Sequence, residues 1–126
     1  MDVFVVEDSA PMRQRVVAAL EELPGVRVVG WADREGPAIK AVQDLLPDLV
    51  VLDLWLAEGS GLAVLEAVKR LAAPPRVAVL TNHPSQPYRT RCAEQGADFF
   101  FDKARGLDAL LDVCRSMVAG GADLQP

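Results

Sequence analysis

Four short apolar runs in this chain each end on residues able to do chemistry. Val3-Phe4-Val5-Val6 runs into Glu7-Asp8, and Leu49-Val50-Val51-Leu52 runs into Asp53. Val77-Ala78-Val79-Leu80 runs into Thr81-Asn82, and Phe99-Phe100-Phe101 runs into Asp102-Lys103. A carboxylate at the end of a buried strand is costly to desolvate unless it is paired or used. Glu7, Asp8, Asp53 and Lys103 together carry a formal charge of −2. Clustered carboxylates repel one another, and a divalent cation would cancel the excess. Mg²⁺ prefers a few carboxylates together with water and phosphate oxygens, and Mn²⁺ is the alternative ion. A carboxylate beside such a metal can act as a nucleophile toward phosphorus. Phosphoryl transfer then needs positioning and charge neutralisation, which Lys103 and the metal supply, with the Thr81 hydroxyl for one phosphoryl oxygen.

This chemistry requires that distant residues meet. The runs are short and β-branched, and they alternate with segments of helical length. That pattern predicts an α/β domain with a parallel sheet. Parallel strands place their C-terminal ends along one edge, and ligands of open α/β sheets bind outside that edge. Glu7, Asp8, Asp53, Thr81 and Lys103 are therefore expected in one place.

The connecting segments read as five helices. Ser9 is a candidate cap, with Pro11 in the first turn and Met12, Val16, Ala19, Leu20 and Leu23 at helical spacing. A second strand, 26–31, is interrupted by Arg27, which suits a sheet edge. Helix two is expected over about 36–46, with Ala38, Ile39, Val42 and Leu45 inward. Ser60 should cap helix three, whose inward face is Val64, Leu65, Val68 and Leu71. Helix four, about 85–95, offers only Tyr88, Cys92 and Ala93 to a core, so it is the element most able to move. Strand five spans about 97–101, and helix five starts near Leu107 with Leu107, Leu110, Leu111, Cys114, Met117 and Val118 inward.

The 126 residues, 51% hydrophobic and 25% charged, fit one domain over 1–119, with 120–126 as a polar tail or linker stub. A net charge of −5 argues against a nucleic-acid surface. Cys92 and Cys114 show no metal spacing and read as buried helical residues in a reducing compartment. No signal peptide and no membrane-length apolar run is visible, so a cytoplasmic location is expected.

Glu7-Asp8, Asp53, Thr81 and Lys103 at the ends of their strands, with the string Asp53-Leu54-Trp55-Leu56-Ala57-Glu58-Gly59-Ser60-Gly61-Leu62, resemble the receiver domain of two-component response regulators. The likeness covers about residues 2–118. It implies a flavodoxin-like (βα)₅ fold with strand order 2-1-3-4-5. It implies that Asp53 accepts a phosphoryl group from a phosphohistidine on a sensor histidine kinase or histidine phosphotransfer protein. By the same likeness Asp8, Asp53 and the Trp55 backbone carbonyl hold Mg²⁺, and Glu7 acts through water. Thr81 and Phe100 become switch residues acting on the surface of helix four, strand five and helix five. A homodimer through that surface is one form of output. Trp55 and His83 occupy the family's positions bordering the path of hydrolytic water. Two positions depart from the pattern: Ala104 and Ala57 stand where the family often has proline. A cis peptide after Lys103 is therefore not expected. Arg13 and Arg15 read as a solvated helix face.

Other functions fit less well. An aspartate-nucleophile phosphatase wants a second aspartate where Trp55 stands, and a flavin site wants a Ser/Thr/Gly-rich loop where Glu7-Asp8-Ser9-Ala10-Pro11-Met12 stands. The remaining alternatives are the N-terminal receiver portion of a longer transcriptional regulator and a receiver-like module that binds partners without phosphorylation.

Overall fold

A computed structural model describes residues 1–82 and 85–120. Five strands alternate with five helices: β1 Asp2–Val6, α1 Ala10–Glu21, β2 Arg27–Ala32, α2 Glu35–Leu45, β3 Leu49–Leu52, α3 Gly61–Lys69, β4 Arg76–Thr81, α4 Gln86–Glu94, β5 Phe99–Asp102 and α5 Leu107–Gly120. The strands form one parallel sheet in the order β2-β1-β3-β4-β5, the flavodoxin-like arrangement expected from the sequence.

The alternation of side chains along each strand builds two cores. From β3, Val50 and Leu52 join Ala38, Val42, Val64, Leu65, Val68 and Cys92, residues of α2, α3 and α4. Leu49 and Val51 point the other way, onto Val16, Leu20, Leu110 and Cys114 of α1 and α5. All four β3 residues are buried, so this strand is covered on both faces. Burial of each such side chain contributes about 1.5–3 kcal/mol. β2 stands at the sheet edge, as its interrupted pattern implied, and Trp31 on it is 53% exposed.

Ser9 caps α1 by accepting from the Met12 N–H at 3.4 Å, and Ser60 caps α3 by accepting from the Leu62 N–H at 3.1 Å. Several boundaries differ from expectation by one or two residues. α2 starts at Glu35 and ends at Leu45, because Leu46 adopts the left-handed conformation, φ 49°. β5 starts at Phe99, two residues later than expected, and ends at Asp102. Three inward assignments fail. Ala93 is exposed because α4 touches the core through Cys92, with Tyr88 half-buried beside it. Leu45 is 45% and Val118 38% exposed; they stand in the last turns of α2 and α5. Cys92 and Cys114 are buried and free; burial pushes the Cys114 thiol up to about 11. Among the described residues there is no cis peptide bond, and no helix is long and apolar enough to cross a membrane. Residues 121–126 of the expected tail lie outside the described residues.

Candidate functional site

Three backbone hydrogen bonds bring the strand ends together. Each uses the residue just past a strand. Glu7 N–H donates to the Ala32 carbonyl at 3.0 Å, Asp53 N–H to Val6 at 2.9 Å and Lys103 N–H to Thr81 at 2.8 Å. The sheet ladder is thus carried one step into the loops. Glu7, Asp53, Thr81 and Lys103 thereby stand along one edge of the sheet.

The side chains follow. Lys103 Nζ lies 2.6 Å from Glu7 Oε1 and 2.9 Å from Asp53 Oδ2. The lysine side chain is only 9% exposed, and those of Glu7 and Asp53 are 4% and 6% exposed. Thr81 is fully buried at the end of β4. Asp8 is exposed, yet it offers an oxygen that lies within 4.8 Å of oxygens on Glu7 and Asp53. Burial disfavours the charged form of Glu7 and raises its pKa, against the pull of Lys103 and the Ser9 N–H. For Lys103, burial would lower the pKa, but the Glu7 and Asp53 carboxylates outweigh it and hold the ammonium above its usual value. The lysine compensates one of three carboxylates. The surplus negative charge and all-oxygen donor set suit a hard divalent cation rather than a thiolate- or imidazole-seeking metal.

Trp55 begins the β3–α3 loop. Its ring is 49% exposed and meets Tyr88 edge-on at 5.9 Å, and its N–H makes a long 3.4 Å contact with Asp53 Oδ1. Phe100 is half-buried against the core face shared by α2, α3 and α4, and the Arg89 guanidinium lies 4.5 Å above its ring. His83 lies outside the described residues.

The loops that hold these groups use residues that the pattern of strand ends did not reveal. Arg13, read from sequence as a solvated residue, donates from a guanidinium nitrogen to the Glu7 carbonyl at 3.0 Å and stacks 3.7 Å over Trp31. Gly61 opens α3 directly against the loop that follows Asp53. A Cβ there would collide with the Asp53 carbonyl and lie 2.6 Å from Leu54 Cα, so only glycine lets the helix start so close. Glu35, 25 residues before Ser60 in the chain, accepts the Ser60 N–H at 2.9 Å. A helix opening on glycine immediately after a serine cap was a readable signal for Gly61. Nothing local announced Glu35.

A groove of about 590 Å³ lined by Met1, Leu46, Pro47, Pro75, Met117 and Val118 lies at the other end of the sheet. It lacks the acid–hydroxyl–amine set, so its volume is no guide to where the chemistry is.

Comparison with known proteins agrees with this geometry. Residues 3–115 match the model of the response regulator receiver domain, and the chain belongs to that family. It is therefore a signalling domain of the two-component type. It is 31% identical over 118 residues to BvgA of Bordetella pertussis, a transcription regulator of virulence factors, covering 94% of this chain and 56% of that protein. It is 29% identical to the response regulator GacA of Pseudomonas aeruginosa, covering 98% and 58% of the two chains. The signal receiver domain of NarL from Mycobacterium tuberculosis superposes with a TM-score of 0.80 at 30% identity, over 90% of this chain and 95% of that one. The chain thus spans little more than half the length of the curated relatives it matches.

Proposed function

We propose that this receiver domain takes a phosphoryl group onto Asp53 from a phosphohistidine on a sensor histidine kinase or histidine phosphotransfer protein. The observation that carries the reading is the Lys103 ammonium, bound to Asp53 and Glu7 at 2.9 and 2.6 Å, beside three carboxylate oxygens within 4.8 Å of one another. An Asp53 oxygen attacks phosphorus as the P–N bond to the donor imidazole breaks, and the electron pair stays on the departing nitrogen. Lys103 and the Thr81 hydroxyl bind oxygens of the transferred group. Asp8, Asp53 and the Trp55 carbonyl would hold Mg²⁺ or Mn²⁺, with Glu7 acting through water. The metal supplies charge neutralisation at the phosphoryl oxygens. The domain catalyses its own phosphorylation and dephosphorylation and is not otherwise an enzyme.

Thr81 then moves toward the phosphoryl group and Phe100 turns inward, leaving the Arg89 contact. Such a state-dependent contact is what a two-state switch of α4, β5 and α5 requires. α4 is suited to it because it buries only Cys92 fully. The output is an attached or separate partner, reached by docking or by homodimerisation through that surface. The lengths of BvgA and GacA support a place as the receiver portion of a longer regulator; the acidic domain itself is not expected to bind DNA. Incubation with Mg²⁺ and acetyl phosphate, followed by intact mass and site mapping, tests the assignment. One phosphoryl group on Asp53 is expected. Phosphorylation elsewhere, or its persistence in Asp53→Asn, overturns it.

A further inference from the structure

The β3–α3 loop leaves Asp53, exposes Trp55 and returns to the Ser60 cap. A short antiparallel bridge joins Trp55 to Ser60, and the Gly61 N–H donates to the Leu54 carbonyl at 3.0 Å, so Ser60 and Trp55 move as a unit. This unit is tied to the β2–α2 turn. Glu35 N–H donates to the Glu58 carbonyl at 3.0 Å, and Ala57 N–H donates to the Asp33 carbonyl at 3.3 Å. Ala57 can do this because it has the N–H that proline lacks. Glu35 Oε1 accepts the Ser60 N–H at 2.9 Å. Between them Gly59 takes φ 85°, and the Glu35 side chain fills the space where a Cβ at Gly59 would stand.

We propose that Glu35 is a positioning residue for the metal and phosphoryl site: its carboxylate fixes Ser60, and through the Ser60–Trp55 bridge it aims the Trp55 backbone carbonyl. The inference rests on the reading of the acid cluster given above. The Arg34 backbone bridges Glu58, but its side chain does little of this work. Its guanidinium sits 3.4 Å from Asp33 and 3.8 Å from Glu58, among side chains 42–76% exposed, where water screens an ion pair. Glu35 differs because it accepts from a backbone N–H that has its geometry set by the bridge. Losing that acceptor frees the loop to sample carbonyl orientations that do not face the cation. A loop ligand held in place loses less freedom on binding than a mobile one.

Mg²⁺ titration of the metal-free protein, followed by calorimetry, tests this with three variants. Glu35→Asp keeps the charge but is one methylene too short to reach Ser60. Glu35→Gln loses the charge but keeps an acceptor oxygen at the same reach. Glu35→Ala loses both. Glu35→Asp and Glu35→Ala are expected to weaken Mg²⁺ binding about fivefold, and Glu35→Gln to stay within about twofold of wild type, the size of one hydrogen bond's worth of positioning. Weak binding by Glu35→Gln with normal binding by Glu35→Asp would mean that distant charge, not positioning, is at work, and overturns the inference. So does a lowered melting temperature in Glu35→Asp with unchanged Mg²⁺ affinity, which is a merely structural role. If Glu35→Ala fails to fold, the Asp and Gln variants carry the test. Wild type that binds no Mg²⁺ overturns the acid-cluster reading and this inference together; wild-type binding that is indifferent to all three variants overturns this inference alone.

Discussion

Two lysines sit at opposite ends of the sheet in similar surroundings and come to opposite ends. Lys69 Nζ on α3 donates to Asp98 Oδ2 and to the Pro75 carbonyl, both at 2.8 Å. The same Asp98 oxygen accepts the Val77 N–H at 2.8 Å, so the pair closes the entries to β4 and β5. One ammonium meets one carboxylate, the charges balance, and the side chains remain 19% and 31% exposed. Lys103 is more buried and meets two carboxylates, with Asp8 beside them. The first lysine completes a structure. The second leaves charge over, in a place where water screens less. A surplus that the fold tolerates but does not neutralise marks the second end as the candidate site and the first as a joint.

The comparison is sharpest if each ammonium is removed. Lys103→Met strands two buried carboxylates and is expected to cost about 3–5 kcal/mol in the metal-free protein. Lys69→Met strands half-exposed groups and should cost about 1 kcal/mol. Urea denaturation of both variants measures this. Added Mg²⁺ should narrow the gap to wild type for Lys103→Met and leave it unchanged for Lys69→Met, whose metal site is intact. Equal costs would erase the distinction between joint and site.

Metal affinity separates the two ends next. Asp8→Asn is expected to weaken Mg²⁺ binding by about tenfold or more, as loss of a charged ligand from a three-carboxylate set implies. Glu7→Gln should weaken it less, and Asp98→Asn not at all. Asp8→Asn also relieves carboxylate repulsion, so its metal-free form should melt higher than wild type. A titration in which Asp8→Asn matches wild type removes Asp8 as a ligand.

A smaller effect is expected at the mouth of the site. Trp55 lies half-exposed against Tyr88; on the proposed reading its ring would stand in the way of water approaching a phosphorylated Asp53. Trp55→Ala should shorten the phosphoryl lifetime several-fold, a barrier change of about 1 kcal/mol. Decay of phosphate after donor removal, in excess Mg²⁺, measures it. Decay at the wild-type rate would make the ring mere surface; a larger effect from His83→Ala would move the gate to the other loop.

The slightest contrast is in pH. Glu7 has its pKa raised by burial above the ordinary 4.5, so only between 4.5 and the raised value does the folded state hold a proton that the unfolded state has released. Its contribution to stability therefore falls as pH rises from 4.5 through the folded value. Asp2, at the other end of the sheet, is shifted the opposite way by its hydrogen bond from Arg27, so its small contribution is present above 3.8 and is lost as pH falls through its lowered value. Metal-free melts from about pH 4 to about pH 7 should show Glu7→Gln gaining on wild type as pH rises. Parallel curves for the two proteins would contradict the shift.

The strand ends were legible because burial makes an acid or hydroxyl after an apolar run expensive, and the parallel α/β pattern forces such ends onto one edge. Ser9 and Ser60 were legible because capping is a contact between neighbours in sequence. The flat burial of β3 was legible from Leu49 to Leu52, since a continuous apolar run has no solvent face. What the tertiary structure decided are the things that depend on a partner far along the chain. Helical spacing placed Ala93, Leu45 and Val118 inward, yet which residues of a helix face meet the sheet is set by packing that no period records. The strand-end pattern placed Lys103 near the acids, but only the fold chose Glu7 and Asp53 as its ion-pair partners and left Asp8 exposed beside them. Glu35 sits in an unremarkable helix start, and its acceptor role exists only because a loop from β3 comes to lie beside it. Local chemistry is written in order along the chain; contacts across 25 residues, as between Glu35 and Ser60, exist only once the sheet has brought the loops together.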